Sequence, residues 1–331
     1  MNELLFSALA ARIQSAQNIL LLCHISPDGD TCGSALALRR ALVSLDKKVA
    51  VCCEQPVPQI YRTLCGAGSV VVPDALRGQT FDLALSVDVS DEERMGTCAP
   101  LFHAAKYTAQ IDHHGTNPGY AQLNLIRSPL SATGVLAAEL IDALSVAFDR
   151  EIAECLYVAV ATDTGNFKQA NTDVESLSLA ARCVQYGFDV AAICRRVFDL
   201  RPACQIRLFA AALSSLEISC GGALATLAVS AEDFARCGAS PEYTEGIVNL
   251  AFNIEGVRIA AFLSQRENKI KVSLRSTAPY DVAAVAARFG GGGHTLAAGC
   301  TLDTTLDQAR EAITAACRMA LCEQGETWTD S

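Results

Sequence analysis

The stretch Ile19-Leu20-Leu21-Leu22-Cys23-His24-Ile25-Ser26-Pro27-Asp28-Gly29-Asp30-Thr31-Cys32-Gly33-Ser34 decides the fold. Its first five residues form an unbroken apolar run of strand length. A loop carrying one imidazole and two carboxylates follows. From Thr31 the apolar positions Leu36, Leu38, Leu42 and Leu45 take helical spacing. A strand that is apolar on both faces and feeds a helix is the unit of a parallel sheet covered on both sides. Such sheets bind ligands beyond the carboxyl ends of their strands. That is where His24, Asp28 and Asp30 would lie.

The same alternation continues outward. Lys48 to Cys52, Phe81 to Val87 and Tyr107 to Ile111 read as strands; Thr133 to Leu144, Glu151 to Ala161 and Asp173 to Tyr186 read as helices. Residues 188–217 read as a helical connector bearing Arg195, Arg196, Arg201 and Arg207, semi-rigid because it lacks a Gly/Ser linker. Of these, Arg195, Arg196 and Arg201 either line a cleft or form a solvated face. A second pattern follows: a strand from Ala223 to Val229, a helix from Pro241 to Phe252, and paired strands from Val257 to Leu263 and Lys269 to Leu274 around Gln265 to Asn268. A helix from Asp281 to Phe289 precedes a four-glycine run, and the last helix spans Thr305 to Cys322, with a polar, frayed tail from Glu323. The fold class is therefore α/β: a mainly parallel-sheet domain (1–187), the connector (188–217) and a smaller α/β domain (218–326).

The bulk composition narrows the function. A chain of 331 residues suits about two domains. A net charge of -10 argues against a basic surface for long duplex nucleic acid. It leaves room for a short nucleic-acid substrate, because a few arginines and a metal pair can hold two or three phosphates. The 15 cysteines are odd in number, lack Cys-x-x-Cys spacing and lie in apolar stretches, as at Cys23, Cys155, Cys183 and Cys194. They read as small hydrophobes in a reducing cytoplasm rather than as zinc ligands. The N-terminal stretch lacks a signal-peptide pattern. No apolar run reaches about 18 residues, so no membrane span is expected.

Four clusters carry chemistry. The first is His24, Asp28 and Asp30; on its own, Asp30 also reads as a helix cap and Pro27-Asp28-Gly29 as a turn. The second is Asp88, at the end of the strand through Ser86-Val87, where a simple strand-end turn is the competing reading. The third is Asp112-His113-His114, again at a strand end, where adjacent histidines splay so that one can ligate an ion while the other faces a substrate. The fourth is Asp163, closing an apolar helical stretch before Thr164-Gly165. Each ends an apolar element of one sheet domain, so all can converge on one edge. Crowded carboxylates repel unless cations intervene. Oxygen and imidazole donors without thiolate favour Mn²⁺ or Mg²⁺, and a pair of such ions activates water and neutralises a phosphoryl group.

The order His24-x-x-Pro27-Asp28-Gly29-Asp30-x-x-Gly33-Ser34, then Asp88, then Asp112-His113-His114, then Asp163-Thr164-Gly165, resembles the DHH phosphoesterase superfamily. Gly290 to Gly293, His294 and Ala297-Ala298-Gly299, with Ser273 to Ser276 upstream, resemble its DHHA1 substrate domain. The likeness covers nearly the whole chain and is greatest to the stand-alone nano-RNase and pAp-phosphatase group. It implies two divalent ions, Mn²⁺ preferred and Mg²⁺ possible: one on His24, Asp28 and Asp88, the other on Asp30, Asp88, His113 and Asp163. It implies that His114 faces the scissile phosphate, with Asp112 orienting a histidine. Arg275, Ser276, Gly291, Gly292, Gly293 and His294 would bind substrate, with the active site in the interdomain cleft. The implied activity is in-line hydrolysis of very short RNA to mononucleotides and of 3'-phosphoadenosine 5'-phosphate (pAp) to AMP. A cyclic di-AMP or linear dinucleotide (pApA, pGpG) phosphodiesterase is the alternative; a single-strand exonuclease or a non-enzymatic nucleotide sensor fits less well. The oligomeric state stays open between monomer and homodimer. Ser131-Ala132-Thr133-Gly134 stands where the family often has a second serine or threonine, which bears on a detail of the substrate pocket.

Overall fold

A computed structural model describes residues 2–267 and 269–323. Asn268 at the expected hairpin tip, the polar tail at 324–331 and the last residues of the expected second domain lie outside the described residues. The chain divides into two compact units, with the boundary between Leu200 and Arg201.

The first unit runs α1 (Asn2–Ser15), β1 (Asn18–Leu22), α2 (Gly29–Ser44), β2 (Lys48–Cys52), β3 (Val70–Val71), β4 (Leu83–Val87), α3 (Ala99–His103), β5 (Thr108–Asp112), β6 (Leu123–Ile126), α4 (Thr133–Ala143), α5 (Arg150–Asp163), α6 (Val174–Val184) and α7 (Val190–Cys194). Its six strands are all parallel, in the order β3-β2-β1-β4-β5-β6. Successive side chains of a strand point to opposite faces. Ile19 and Leu21 of β1 accordingly join the core beneath α1, α2, α4 and α5, while Leu20 and Leu22 join a second core with Met95 and Phe102. That two-sided burial is why β1 reads as a continuous apolar run. The strand order reverses between β1 and β4, and ligands of open α/β sheets bind at such a reversal.

Local sequence rules set two boundaries. Asp28 caps α2, its side chain accepting from the Asp30 and Thr31 amides, so the helix begins at Gly29 rather than Thr31. Strand β6 is a four-residue edge strand, buried only at Leu123 and Leu125, which is too short for a clear periodic signal.

The second unit runs α8 (Ala203–Ser214), β7 (Glu217–Ser219), β8 (Leu224–Val229), α9 (Ala231–Cys237), α10 (Ile247–Phe252), β9 (Ile259–Arg266), β10 (Lys269–Ser276), α11 (Val282–Ala287), β11 (Gly292–His294), β12 (Ala297–Leu302) and α12 (Leu306–Cys322). The sheet order is β11-β12-β10-β9-β8-β7, with β8 and β9 parallel and the other pairs antiparallel. One face packs on α11 and α12, the other on α8, α9 and α10. The helix expected over Pro241 to Phe252 is a 3-10 turn at Pro241–Thr244 and then α10, interrupted at Gly246, whose φ is +84°. Part of the glycine run is edge strand β11, paired to β12. A Cβ at Gly293 would meet the Ala297 carbonyl at 2.6 Å, so the tight approach of the two strands needs glycine there.

Candidate active site

Three loops at the carboxyl ends of β1, β4 and β5, and the end of α5, bring the six expected metal-ligating residues of the first unit together. The donor atoms of His24, Asp28 and Asp88 lie within 4.8 Å of one another, as do those of Asp30, His113 and Asp163, and those of Asp88, His113 and His114. Asp88 belongs to two of these groups. Its residue lies just beyond β4 in the left-handed region, with φ of +63°. A non-glycine residue held there is strained. One of its carboxylate oxygens, Oδ2, faces His24 Nε2 at 3.6 Å; the other, Oδ1, faces His113 Nε2 at 3.6 Å.

Each imidazole is oriented by its second nitrogen. The Nδ1 of His113 lies 2.9 Å from the Leu130 carbonyl, which assigns the proton to Nδ1. Its Nε2 is thereby left as a donor of electrons towards Asp163 at 3.3 Å and Asp88. His24 Nδ1 sits 2.7 Å from the Ile25 carbonyl and 3.0 Å from the Arg94 guanidinium. The carbonyl contact is the shorter and again leaves Nε2 pointing at carboxylates, 3.5 Å from Asp28 Oδ1. His114 differs. Its Nδ1 donates to Asp112 Oδ1 at 2.8 Å, and its side chain is 41% exposed. Asp112 is fully buried, and its other oxygen accepts from Asn117 Nδ2 at 2.6 Å. The histidine oriented by Asp112 is thus His114 rather than His113.

Asp30 is fully buried. Oδ2 accepts from the Thr133 amide at 2.6 Å; Oδ1 accepts from the Gly134 amide at 2.9 Å and from the Ser34 hydroxyl at 3.0 Å. Those amides open α4, whose N-terminus carries partial positive charge. The approach depends on glycines: a Cβ on Gly134 would meet Ala159 of α5 at 2.7 Å, and one on Gly33 would collide with the Cys155 carbonyl. Thr133 also donates its hydroxyl to Asp88 Oδ1 at 2.9 Å. It therefore orients two of the clustered carboxylates rather than lining a substrate pocket. Sequence reading missed Thr133, Ser34, Arg94 and Asn117 in these roles. A threonine before a helical pattern was the one available signal.

The electrostatics suit cations. Burial, reinforced by the charges of Asp88, Asp163 and Asp28, drives the Asp30 carboxyl well above its ordinary range. Burial and the Asp88 charge push Asp163 up to about 7. Burial alone would lower the His24 pKa, but hydrogen bonds and charge from Asp28 and Asp88 outweigh it and push the group up to about 10. Without a cation, this cluster relieves its repulsion by holding protons. Its oxygen and imidazole donors fit Mn²⁺ or Mg²⁺ chemistry. The cap of α2 is Asp28 rather than Asp30, and the Oδ1 that accepts the capping amides also faces His24.

The expected substrate residues lie in the second unit. In the register, both Arg275 of β10 and His294 of β11 stand opposite Ala297 of β12, so their side chains share one face of the sheet. Gly292, Gly293 and His294 are exposed, and Gly291 is half-buried. Ser276 is buried, and its hydroxyl donates to the Tyr280 carbonyl at 2.6 Å.

Comparison with known proteins agrees with this architecture. Residues 18–160 match the model of the DHH family, N-terminal domain, and residues 226–320 match that of the DHHA1 domain. The bifunctional oligoribonuclease and PAP phosphatase NrnA of Thermus thermophilus is 34% identical over 308 residues, covering 93% of this chain and 91% of that protein. An exopolyphosphatase-related protein of Bacteroides fragilis superposes with a TM-score of 0.85 at 24% identity, covering 98% of each chain. RecJ of Thermus thermophilus in complex with Mn²⁺ has the same fold at a TM-score of 0.54 and 17% identity, over 96% of this chain and 55% of that one.

Proposed function

The chain belongs to the DHH family of phosphoester hydrolases, with a DHHA1 domain in its second unit. On that premise we propose that it hydrolyses very short RNA to mononucleotides and pAp to AMP, with two divalent cations on His24, Asp28, Asp30, Asp88, His113 and Asp163. The observation that carries this reading is the division of Asp88, one oxygen towards His24 and the other towards His113. A carboxylate so divided can serve two ions at once. The sequence likeness to a relative named for both oligoribonuclease and PAP phosphatase activity supports the substrate class.

Cations bound there would supply an activated water and neutralise charge on the phosphoryl group. The remaining work falls to side chains. The Asp112–Asn117 pair fixes the His114 ring and holds its proton on Nδ1. Through Nε2 His114 contacts the scissile phosphate, where hydrogen-bond attraction grows with the charge of the transition state. Arg275 grips a substrate phosphate as a two-pronged donor; the amides around Gly292 and Gly293 and the ring of His294 add further donors. Manganese is the metal we assign, on the thiolate-free donor set and on its presence in a RecJ of the same fold. The fifteen free thiols suit a reducing cytoplasm. Among the described residues, no helix is long and apolar enough to cross a membrane.

The test is turnover with Mn²⁺ across pAp, pApA, pGpG, cyclic di-AMP and an RNA length series. Hydrolysis of pAp and of the shortest RNAs, lost on chelation and restored by Mn²⁺, is the expected result. Turnover confined to cyclic di-AMP, or surviving thorough chelation, would overturn the reading.

A further inference from the structure

Strand β10 divides its side chains cleanly. Ile270, Val272 and Leu274 enter the core beneath α11 and α12. Lys271, Ser273 and Arg275 point to the other face, where they line an open groove of about 490 Å³. Its base includes Phe262 and Val248, and Arg266 of β9 adds a third cation. The opposite wall is the turn Pro241–Thr244 with Glu242 and Glu245. Among the described residues, neither Lys271 nor Arg275 has a carboxylate within ion-pair distance; Arg275 donates only to the Leu274 carbonyl, at 3.0 Å. The Arg266 guanidinium donates to the Pro241 carbonyl and the Thr244 hydroxyl, both at 3.2 Å, and its Nε is buried without a partner. Three cations thus line one side of the groove with, among the described residues, no ion pair to the carboxylates of the turn, which leaves them available to an anion.

We propose that the row Arg275–Ser273–Lys271, continued by Arg266, is a track for the backbone phosphates of an oligonucleotide beyond the reacting one, and so sets the chain-length preference. The inference rests on the reading of the chain as a hydrolase of short RNA. Alternate residues of a strand advance by about 6.6–6.8 Å, comparable to the step between successive phosphates of an extended single strand. Lys271 then lies about 13 Å from Arg275, room for two nucleotide steps. The groove is charged asymmetrically, with cations along the strands and carboxylates on the turn. That suits a ligand with one anionic edge and another bearing N–H donors, because glutamate accepts from base amino groups. A polyphosphate presents anions on all sides and spaces them more closely, through single oxygens, so it fits neither the spacing nor the acidic wall.

The test uses the Mn²⁺-loaded full chain with pAp and RNAs of increasing length. Lys271 is exposed, so its substitution spares the fold. For Lys271→Gln, the ratio of the tetranucleotide KM to the pAp KM rises about tenfold, the worth of one charge-assisted hydrogen bond. The ratio rises further in Lys271→Glu and returns towards the parent value in Lys271→Arg. The slope of log kcat/KM against log salt for the tetranucleotide becomes shallower by about 0.7 in Lys271→Gln, as one phosphate contact is lost. Equal KM changes at every length, or an unaltered salt slope, would overturn the track and leave the parent reading intact. Inhibition by polyphosphate that Lys271→Gln relieves, without any length effect on RNA, would overturn the nucleotide assignment. A parent enzyme that hydrolyses no RNA at any length overturns the parent reading, and the track falls with it.

Discussion

Thr133→Val isolates one hydrogen bond in the candidate metal centre. Threonine and valine have the same shape, and Thr133 is fully buried at the first position of α4. Its amide bond to Asp30 survives the change; only the hydroxyl bond to Asp88 at 2.9 Å is lost. A hydrogen bond to a charged acceptor contributes about 1.5–3 kcal/mol. Since 1.4 kcal/mol is a factor of ten, the loss corresponds to about 10- to 150-fold. Partners that orient metal ligands typically account for about 10- to 100-fold in affinity or rate, and the two estimates overlap. Calorimetric titration with Mn²⁺ and kcat at saturating metal should therefore both fall by about 10- to 100-fold, and Thr133→Ser should restore most of the loss. An effect confined to KM, with Mn²⁺ affinity unaltered, would refute the argument and return Thr133 to the substrate pocket.

Three further outcomes are expected. Asp88→Ala should abolish hydrolysis and weaken Mn²⁺ binding, because its carboxylate belongs to two of the three clusters; full activity in that variant would end the two-ion scheme. Gly33→Ala should lower the melting temperature, because the new methyl meets the Cys155 carbonyl and Ala159. Overpacking of this kind costs about 1–3 kcal/mol, against about 1 kcal/mol gained from helix propensity; an unchanged or higher melting temperature would contradict the close packing of α2 on α5. The protonation pattern fixes a sign as well. Asp163 moves from 3.8 in the unfolded chain to about 7, and His24 from 6.5 to about 10. Both groups hold more protons folded than unfolded, so their stabilising contribution is full below the unfolded values and is lost as pH rises through the folded ones. Asp28 shifts downward, and that contribution is lost only as pH falls below its ordinary value. Metal-free protein should therefore melt lower at pH 8 than at pH 5. Mn²⁺ binding near pH 7 should release protons, visible as a binding heat that depends on the buffer; a buffer-independent heat would sink this account.

The positions of the chemistry were legible because they punctuate strong periodic signals. His24, Asp88 and Asp112-His113-His114 each follow an apolar strand, and parallel strands expose their carboxyl ends on one edge. Asp163 was legible for a different reason, as the last residue of an apolar helix. Half of the glycine run, in which the sequence shows no strand pattern, is an edge strand. Glycines carry little strand propensity, and β11 is held by β12 rather than by its own residues. Which carboxylate caps α2 had no answer in sequence: Asp28 does, with an Oδ1 that also faces His24, while Asp30 accepts from the Thr133 and Gly134 amides.

By itself the sequence determined which residue types could bind cations, the alternation of the longer strands and helices in the first unit, and the family to which the chain belongs. These depend on local periodicity and on motifs contained in short windows. Only the tertiary structure decided how the groups are tuned. Thr133 reaches Asp88 across 45 positions, and the Thr133 amide reaches Asp30 across 103. Leu130 fixes the His113 tautomer, and the row of Arg275 and Lys271 faces a turn contributed by Pro241–Thr244. Hydrogen bonds and charge act through space at a few ångströms, and residues that close can be any distance apart in the chain. A one-dimensional pattern records which donors exist; the packing of α2, α4 and α5 around two glycines sets which of them meet.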